Sequence, residues 1–177
     1  MKPPPRIETE RLLLRPPQMQ DAESIYTTYA QDPEVVRYLP WLPHTTIETT
    51  RNFVQWSMDA WSGEHRFPWV ITLKAKEVVV GMVELRPHEF HASLGYVLAR
   101  SYWNQGIMSE AVQPLVDWAL AQPLLYRVWA ICDKENIGSA RVMEKVGMQR
   151  EGLMRRGVIH PNVSLEPRDC WLYAKVK

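Results

Sequence analysis

The stretch that decides the fold is LGYVLARSYWNQGIMSEAV, residues 94–112. It begins as a strand-like aliphatic and aromatic run. Two aromatics, Tyr102 and Trp103, then precede a single glycine, Gly106, and the chain turns straight into an apolar helical pattern. Glycine at such a junction lets backbone approach a bound group closely. The N–H groups that open the helix favour an anion. An ordinary strand–turn–helix junction without a ligand reads the same way at this level.

Working outward, three strands are expected before the turn, at Phe67–Lys74, Glu77–Pro87 and His91–Ala99. They are β-branched and aromatic-rich with short polar links, the pattern of an antiparallel meander. Further upstream, RLLLR (residues 11–15) reads as a short buried strand. Residues 21–32 read as a helix capped by Asp21, with Ile25, Tyr26 and Tyr29 on one face. The segment VVRYLPWLPHTT carries Pro40 and Pro43 and is expected to be a loop. A second helix over residues 46–63 repeats Ile47, Phe53 or Val54, Met58 and Trp61 and stops at Gly63. Trp56, Trp61 and Trp69 are expected in the core. After the turn, MSEAVQPLVDWALAQ is a helix in spite of Pro114, and Tyr126–Asp133 is a buried strand. A short helix opens on Asn136 and stops at Gly147. Two last strands, around Met148–Arg156 and Asp169–Val176, flank the polar loop GVIHPNVSLEPR. The order β, α, α, β, β, β, α, β, α, β, β is a mixed α/β architecture.

Composition bounds the function. A chain of 177 residues suits one domain, residues 1–177. With 46% hydrophobic and 23% charged residues it has the balance of a soluble globular protein. A net charge of +1 leaves no electrostatic footprint for nucleic acid or an acidic membrane. No apolar run approaches the roughly 18 residues that span a bilayer. The start, MKPPPRIETERLLLRPP, is charged where an export signal needs an apolar stretch. Two cysteines, Cys132 and Cys170, make no disulfide framework. A cytoplasmic protein is expected. HEFH, residues 88–91, lacks the zinc-protease spacing and reads as a turn, so no metal is expected.

Four segments in this order, IETERLLLR, LGYVLARSYWNQGIMSEAV, NIGSARVMEKVGM and RDCWLYA, resemble the GNAT superfamily of acetyl-CoA-dependent N-acyltransferases. The likeness is greatest to its ribosomal-protein N-terminal acetyltransferase branch. The resemblance implies a central, mostly antiparallel sheet of about seven strands flanked by about four helices. It also implies a V-shaped opening between the strands SLGYVLA and RVWAIC, into which acetyl-CoA inserts. Backbone groups of Tyr96, Val97 and Leu98 would pair with the pantetheine arm as an added strand would. The pyrophosphate would sit on the amides of Trp103, Asn104, Gln105, Gly106, Ile107, Met108 and Ser109. The general pattern has Arg or Gln where this chain has Trp103, and Gly or Ala where it has Met108. That leaves the fit around the phosphates open.

By the same resemblance, Asn136 would touch the pantetheine arm and Ser139 would donate to the leaving sulfur; read from residues alone, Asn136 is a helix cap and Ser139 a first-turn residue. Relatives carry a carboxylate base where this chain has Ser93 or Val158. Glu84, Glu89, His88, His91 and Asp169 remain as candidates acting through water, Glu84 first among them. Cys132 reads as a small buried strand residue. Trp41 and Arg155 are expected to line the acceptor pocket, with Arg156, His160 and Arg168 nearby. An α-amine of pKa about 7.7–8.0 is about a tenth neutral at pH 7, and lysine near 10.4 well under a thousandth. A site without a strong base therefore favours a peptide N-terminus as acceptor. A small-molecule amine (antibiotic, polyamine or amino acid) and an idle acyl-CoA-binding domain stay open as alternatives, and so does a homodimer.

Overall fold

The computed structural model describes residues 2–63, 65–76 and 78–177, and in it the apolar runs of the sequence become one mixed sheet. Its strands are β1 (Ile7–Glu8), β2 (Leu12–Arg15), β3 (Phe67–Leu73), β4 (Val79–His88), β5 (His91–Leu98), β6 (Arg127–Asp133), β7 (Gln149–Val158) and β8 (Arg168–Val176). They lie in the order β1-β2-β3-β4-β5-β6-β8-β7. Every neighbouring pair is antiparallel except β5 and β6. The sheet has eight strands rather than about seven, because Ile7 and Glu8 fold back on Leu14 and Leu13. A two-residue strand is too short to leave a periodicity in sequence. Glu77, the expected first residue of the fourth strand, lies outside the described residues.

The helices are α1 (Asp21–Ile25), α2 (Pro33–Val36), α3 (Ile47–Ser62), α4 (Ile107–Ala121) and α5 (Ile137–Lys145). That is five α-helices where about four were expected. The extra one, α2, is a single turn that claims Val35 and Val36 from the expected loop. Asp32 caps it by accepting from Glu34 N at 3.0 Å, and Pro33 opens it. The first helix also departs from expectation. Asp21 is not its cap but its first residue, buried, with its carboxylate drawn back to the Arg15 guanidinium at 2.6 Å. Past Ile25 the chain widens into a π-helical turn, Tyr26–Ala30, which buries Tyr29 while Tyr26 stays half-buried and donates to Thr45 O. In α3, Thr46 caps the start and Gly63 the end. Trp61 and Trp69 are buried as expected. Trp56 is 45% exposed, its face covered by the Arg66 guanidinium, because it falls on the solvent side of α3.

Period-2 alternation puts a separate core on each face of the sheet. One face packs α4 and α5 on Leu85, Leu94, Val128, Ala130, Cys132 and Tyr173. The other packs α1 and α3 on Val70, Val79, Met82 and Ala99. Side chains of consecutive β5 and β6 residues therefore serve different faces. Among the described residues no helix is long and apolar enough to cross a membrane.

Candidate active site

β5 and β6 run parallel, but they pair only at His91–Arg127, Ala92–Val128 and Ser93–Trp129. Beyond Ser93 the edge of β5 has no neighbour in the sheet, while β6 continues to Asp133 beside β8. The two strands separate into an opening. Which groups line it follows from register. Ala99 N donates to Val80 O at 2.8 Å, so Ala99 and, by alternation, Val97 and Gly95 turn their main chain toward β4. Tyr96 and Leu98 turn theirs into the opening. Of the three residues expected there, Val97 presents its backbone to β4 instead. Leu98 O already accepts from Trp103 Nε1 at 2.7 Å.

The turn after β5 is built as its glycine required. Asn104 and Gly106 sit at φ 60° and 76°, the left-handed region. Gly106 is the N-cap of α4 and has no side chain to satisfy the helix's first N–H groups. Donors of this kind, with the helix dipole behind them, favour an anion. Ile107 and Met108 bury their side chains in the α4 core. The bulk of Met108 therefore lies away from the main-chain donors, which removes the difficulty its size raised. Ser109 is half-buried, and Gln105 donates to Ser101 O at 2.8 Å. Arg11 reaches the same turn from the start of β2. It donates to Gln105 O at 3.1 Å and to Glu110 Oε2 at 2.6 Å, and its guanidinium lies 3.6 Å from where a Cβ would stand at Gly106. Burial pushes the Glu110 carboxyl up, but hydrogen bonds from Thr9 and Arg11 outweigh it and hold the carboxyl below the usual range. Nothing in RLLLR announces this role, since the partners are 94 and 99 residues away.

Across the opening, Asn136 caps α5 by accepting from Ser139 N at 3.1 Å. Ser139 Oγ lies 2.8 Å from the Tyr96 hydroxyl, which also lies 3.1 Å from Ser139 O. Burial raises the pKa of Tyr96. Cys132 is next to them, and burial pushes its thiol up to about 12, which favours the protonated form.

The opposite face holds the other candidates. Glu84 pairs with Arg66 Nε and with Arg86 at 2.6 Å, so both its oxygens are engaged. Arg86 crosses Gly95 so closely that a Cβ there would fall 2.7 Å from its guanidinium. His91 Nδ1 accepts from Trp129 Nε1 at 3.1 Å, and His88 stacks on His91 at 5.1 Å. Glu89 is exposed at the β4–β5 turn. Ser93 lies on β5 beside Arg86, and Val158 closes β7 opposite Arg168. Asp169 Oδ1 accepts from Arg156 N at 2.9 Å. Trp41 packs at a tilt against His44 and Phe53, and its carbonyl accepts from Asn162 Nδ2 at 2.7 Å. That bond seats the 159–167 loop on the α2–α3 loop. Arg155 stands in an open cleft of about 650 Å³ with Lys134, Glu166 and Arg168.

At the end of β6 sits a group the sequence did not reveal. Asp133 is fully buried and takes Arg168 Nε at 2.5 Å and Glu135 N at 2.9 Å. Burial alone would raise its pKa, yet these bonds hold the carboxyl below its usual range. His160 lies 3.8 Å from the same carboxylate, 6% exposed, with burial lowering its pKa. It is therefore packed into the loop rather than presented to the cleft. Among the described residues no group of three or more His, Cys, Asp or Glu is placed to hold a metal ion.

A family profile described as "Acetyltransferase (GNAT) domain" matches residues 11–149. The uncharacterized N-acetyltransferase p20 of Bacillus licheniformis is 33% identical over 150 residues, covering 83% of this chain and 84% of that one. A GNAT-family acetyltransferase from Bacillus anthracis superposes with a TM-score of 0.83 at 34% identity, over 97% of this chain and 98% of that one. RimL, a ribosomal L7/L12 alpha-N-protein acetyltransferase solved in complex with coenzyme A, shares the fold with a TM-score of 0.84 at 22% identity, over 97% of each chain.

Proposed function

Because the chain belongs to the GNAT acetyltransferase family, we propose that it moves the acetyl group of acetyl-CoA to the α-amine of a peptide N-terminus. It is an N-acetyltransferase, and acetyl-CoA is its cofactor. The finer reading rests on one observation. On the acceptor face the first candidate base, Glu84, is held by two arginines, and Ser93 and Val158 stand where the family resemblance implies a carboxylate.

The chemistry then divides simply. The pantetheine arm enters the opening beside the free main-chain groups of Tyr96, and the pyrophosphate seats on the N–H groups that open α4. Ser139 faces the sulfur and donates to it as the C–S bond breaks. The acceptor amine arrives unprotonated and attacks the thioester carbonyl directly. With no strong base to strip a proton, the fraction of acceptor already neutral sets the rate. Deprotonating lysine adds roughly 3–4 kcal/mol relative to an α-amine at pH 7.

Mass spectrometry of peptides carrying both a free N-terminus and an internal lysine tests this. At pH 7 acetylation falls on the N-terminus, and the preference narrows toward pH 9, where lysine still gains neutral fraction. Predominant lysine acetylation at pH 7, or turnover with small amines only, overturns the α-amine acceptor.

A further inference from the structure

We infer that Tyr96 is a positioning residue for departure of the thiol: its hydroxyl holds Ser139 Oγ so that the serine's own proton faces the sulfur. The inference rests on the reading of Ser139 as the donor to that sulfur. It follows from counting protons at the 2.8 Å contact between the two hydroxyls.

A serine hydroxyl has one proton and two lone pairs, and a phenol likewise has one proton to give. Two arrangements are open. In the first, Tyr96 donates to Ser139 O at 3.1 Å and Ser139 spends its proton on the phenol oxygen. In the second, Tyr96 donates to Ser139 Oγ, and the serine proton is left for the opening or for the adjoining Cys132 sulfur. Only the second leaves Ser139 a donor for anything in the opening. The main chain of Ser139 is already fixed by the Asn136 cap at 3.1 Å, so the remaining freedom is the rotation of this one hydroxyl. On a helix a serine hydroxyl tends to turn back to a carbonyl of the preceding turn. A donor from outside the helix opposes that, and Tyr96 is such a donor.

The placement of Tyr96 makes the arrangement hard to mistake for ordinary packing. Its main chain faces the opening, while its ring crosses to α5 on the face that carries Cys132 and Tyr173. Burial keeps the phenol protonated, so it remains a donor throughout the neutral range. Tyr173, the other phenol on this face, gives its proton to Glu144 Oε1 at 2.9 Å and does not compete for Ser139.

In the reaction, the amine lone pair forms the C–N bond as the C–S bond breaks, and the electron pair of the C–S bond goes to sulfur. Ser139 gives its proton to that thiolate while the Tyr96 hydrogen bond steadies the serine oxygen. The serine then recovers from solvent the proton that the amine nitrogen sheds. One proton leaves nitrogen and one arrives at sulfur, so the step balances.

The test is a double-mutant cycle on the full chain, with thiol release followed at saturating acceptor. Tyr96→Phe removes one oxygen and keeps the ring. It is expected to lower kcat ten- to hundredfold with KM for acetyl-CoA within about threefold. Ser139→Ala is expected to cost at least as much, and the double variant no more than Ser139→Ala alone, because the tyrosine acts through the serine. Calorimetric melting and acetyl-CoA affinity of each variant show that it is folded and loaded. Near-normal kcat in Tyr96→Phe beside a slow Ser139→Ala overturns the inference and leaves the Ser139 reading standing. Losses that multiply in the double variant overturn it too, since the two would then act separately. Normal turnover in both single variants overturns the Ser139 reading itself, and the inference with it.

Discussion

Replacing Gly106 separates what the turn costs the fold from what it gives the cofactor. Gly106 sits at φ 76°, where a side chain is strained whatever the space around it. The space itself is open, the nearest atom to a built Cβ being the Arg11 guanidinium at 3.6 Å. Steric overlap therefore contributes little in the free protein. The expected destabilisation is the left-handed backbone term, about 1–2 kcal/mol, larger for a β-branched residue than for alanine. For a chain of this length that lowers Tm by roughly 2–8 °C. Cofactor binding is affected differently. A pyrophosphate resting on the α4 amides must approach the backbone where the Cβ now stands. Gly106→Val is thus expected to weaken acetyl-CoA binding tenfold or more, a loss of at least about 1.4 kcal/mol, and Gly106→Ala to weaken it less. Titration calorimetry beside scanning calorimetry measures both terms on one sample. A folded Gly106→Val protein that binds acetyl-CoA with parent affinity would refute the placement of the anion at this turn.

Two further outcomes follow from the ion pairs. Glu84→Gln strands two arginines that are each about 40% exposed, so solvent softens the loss to about 1–2 kcal/mol of stability, with kcat within a few-fold of the parent; a collapse of kcat at unchanged Tm would instead make Glu84 the base acting through water. Acid should unfold the protein in two stages seen in Tm against pH. His44 and His160 are held below their unfolded value, so their contribution is full above about 6.5 and falls as pH drops below it. Asp133 is held below its own unfolded value, and its contribution fades only below about pH 3.9. Asp133→Asn should shrink the second stage, leaving the share that Glu110 carries, and should leave the first; an unaltered second stage would show that Asp133 contributes nothing to it.

What the sequence made legible, and what it hid, divides along the length of the contacts. The β-branched and aromatic runs of Phe67–Leu73 and β4, the Asn136 cap, and the left-handed turn at Gly106 are all decided within a few residues, and each stands where its local pattern put it. The misread cases are those where a distant or tertiary partner overrides a local preference. Asp21 has the chemistry of a cap, but Arg15 offers a charged, partly buried partner, and the carboxylate goes there. Trp56 has the hydrophobicity of a core residue, yet α3 faces it outward and Arg66 covers it. The split between β5 and β6 was read only through resemblance. No pattern within either strand encodes where pairing with the other stops.

The same division explains why the cofactor half of the site could be read so much further than the acceptor half. Main-chain donors at a glycine turn do not depend on side-chain identity, so the proposed pyrophosphate seat is compatible with Trp103 and Met108 in place of the usual residues. The acceptor face is made instead of side chains whose availability depends on their partners. Glu84 reads as a free carboxylate in sequence and is a paired one in space, because Arg86 on the same strand and Arg66, just before the neighbouring β3, converge on it. His160 reads as a pocket residue and is buried beside Asp133. Glu84 and His160 are thus both engaged by contacts of which only the Arg86 pairing, two residues along β4, could be read from spacing. On the proposed reading, what remains for the reaction is the neutral fraction of the acceptor itself. An enzyme left with only that resource discriminates between amines by their pKa before it discriminates by their shape.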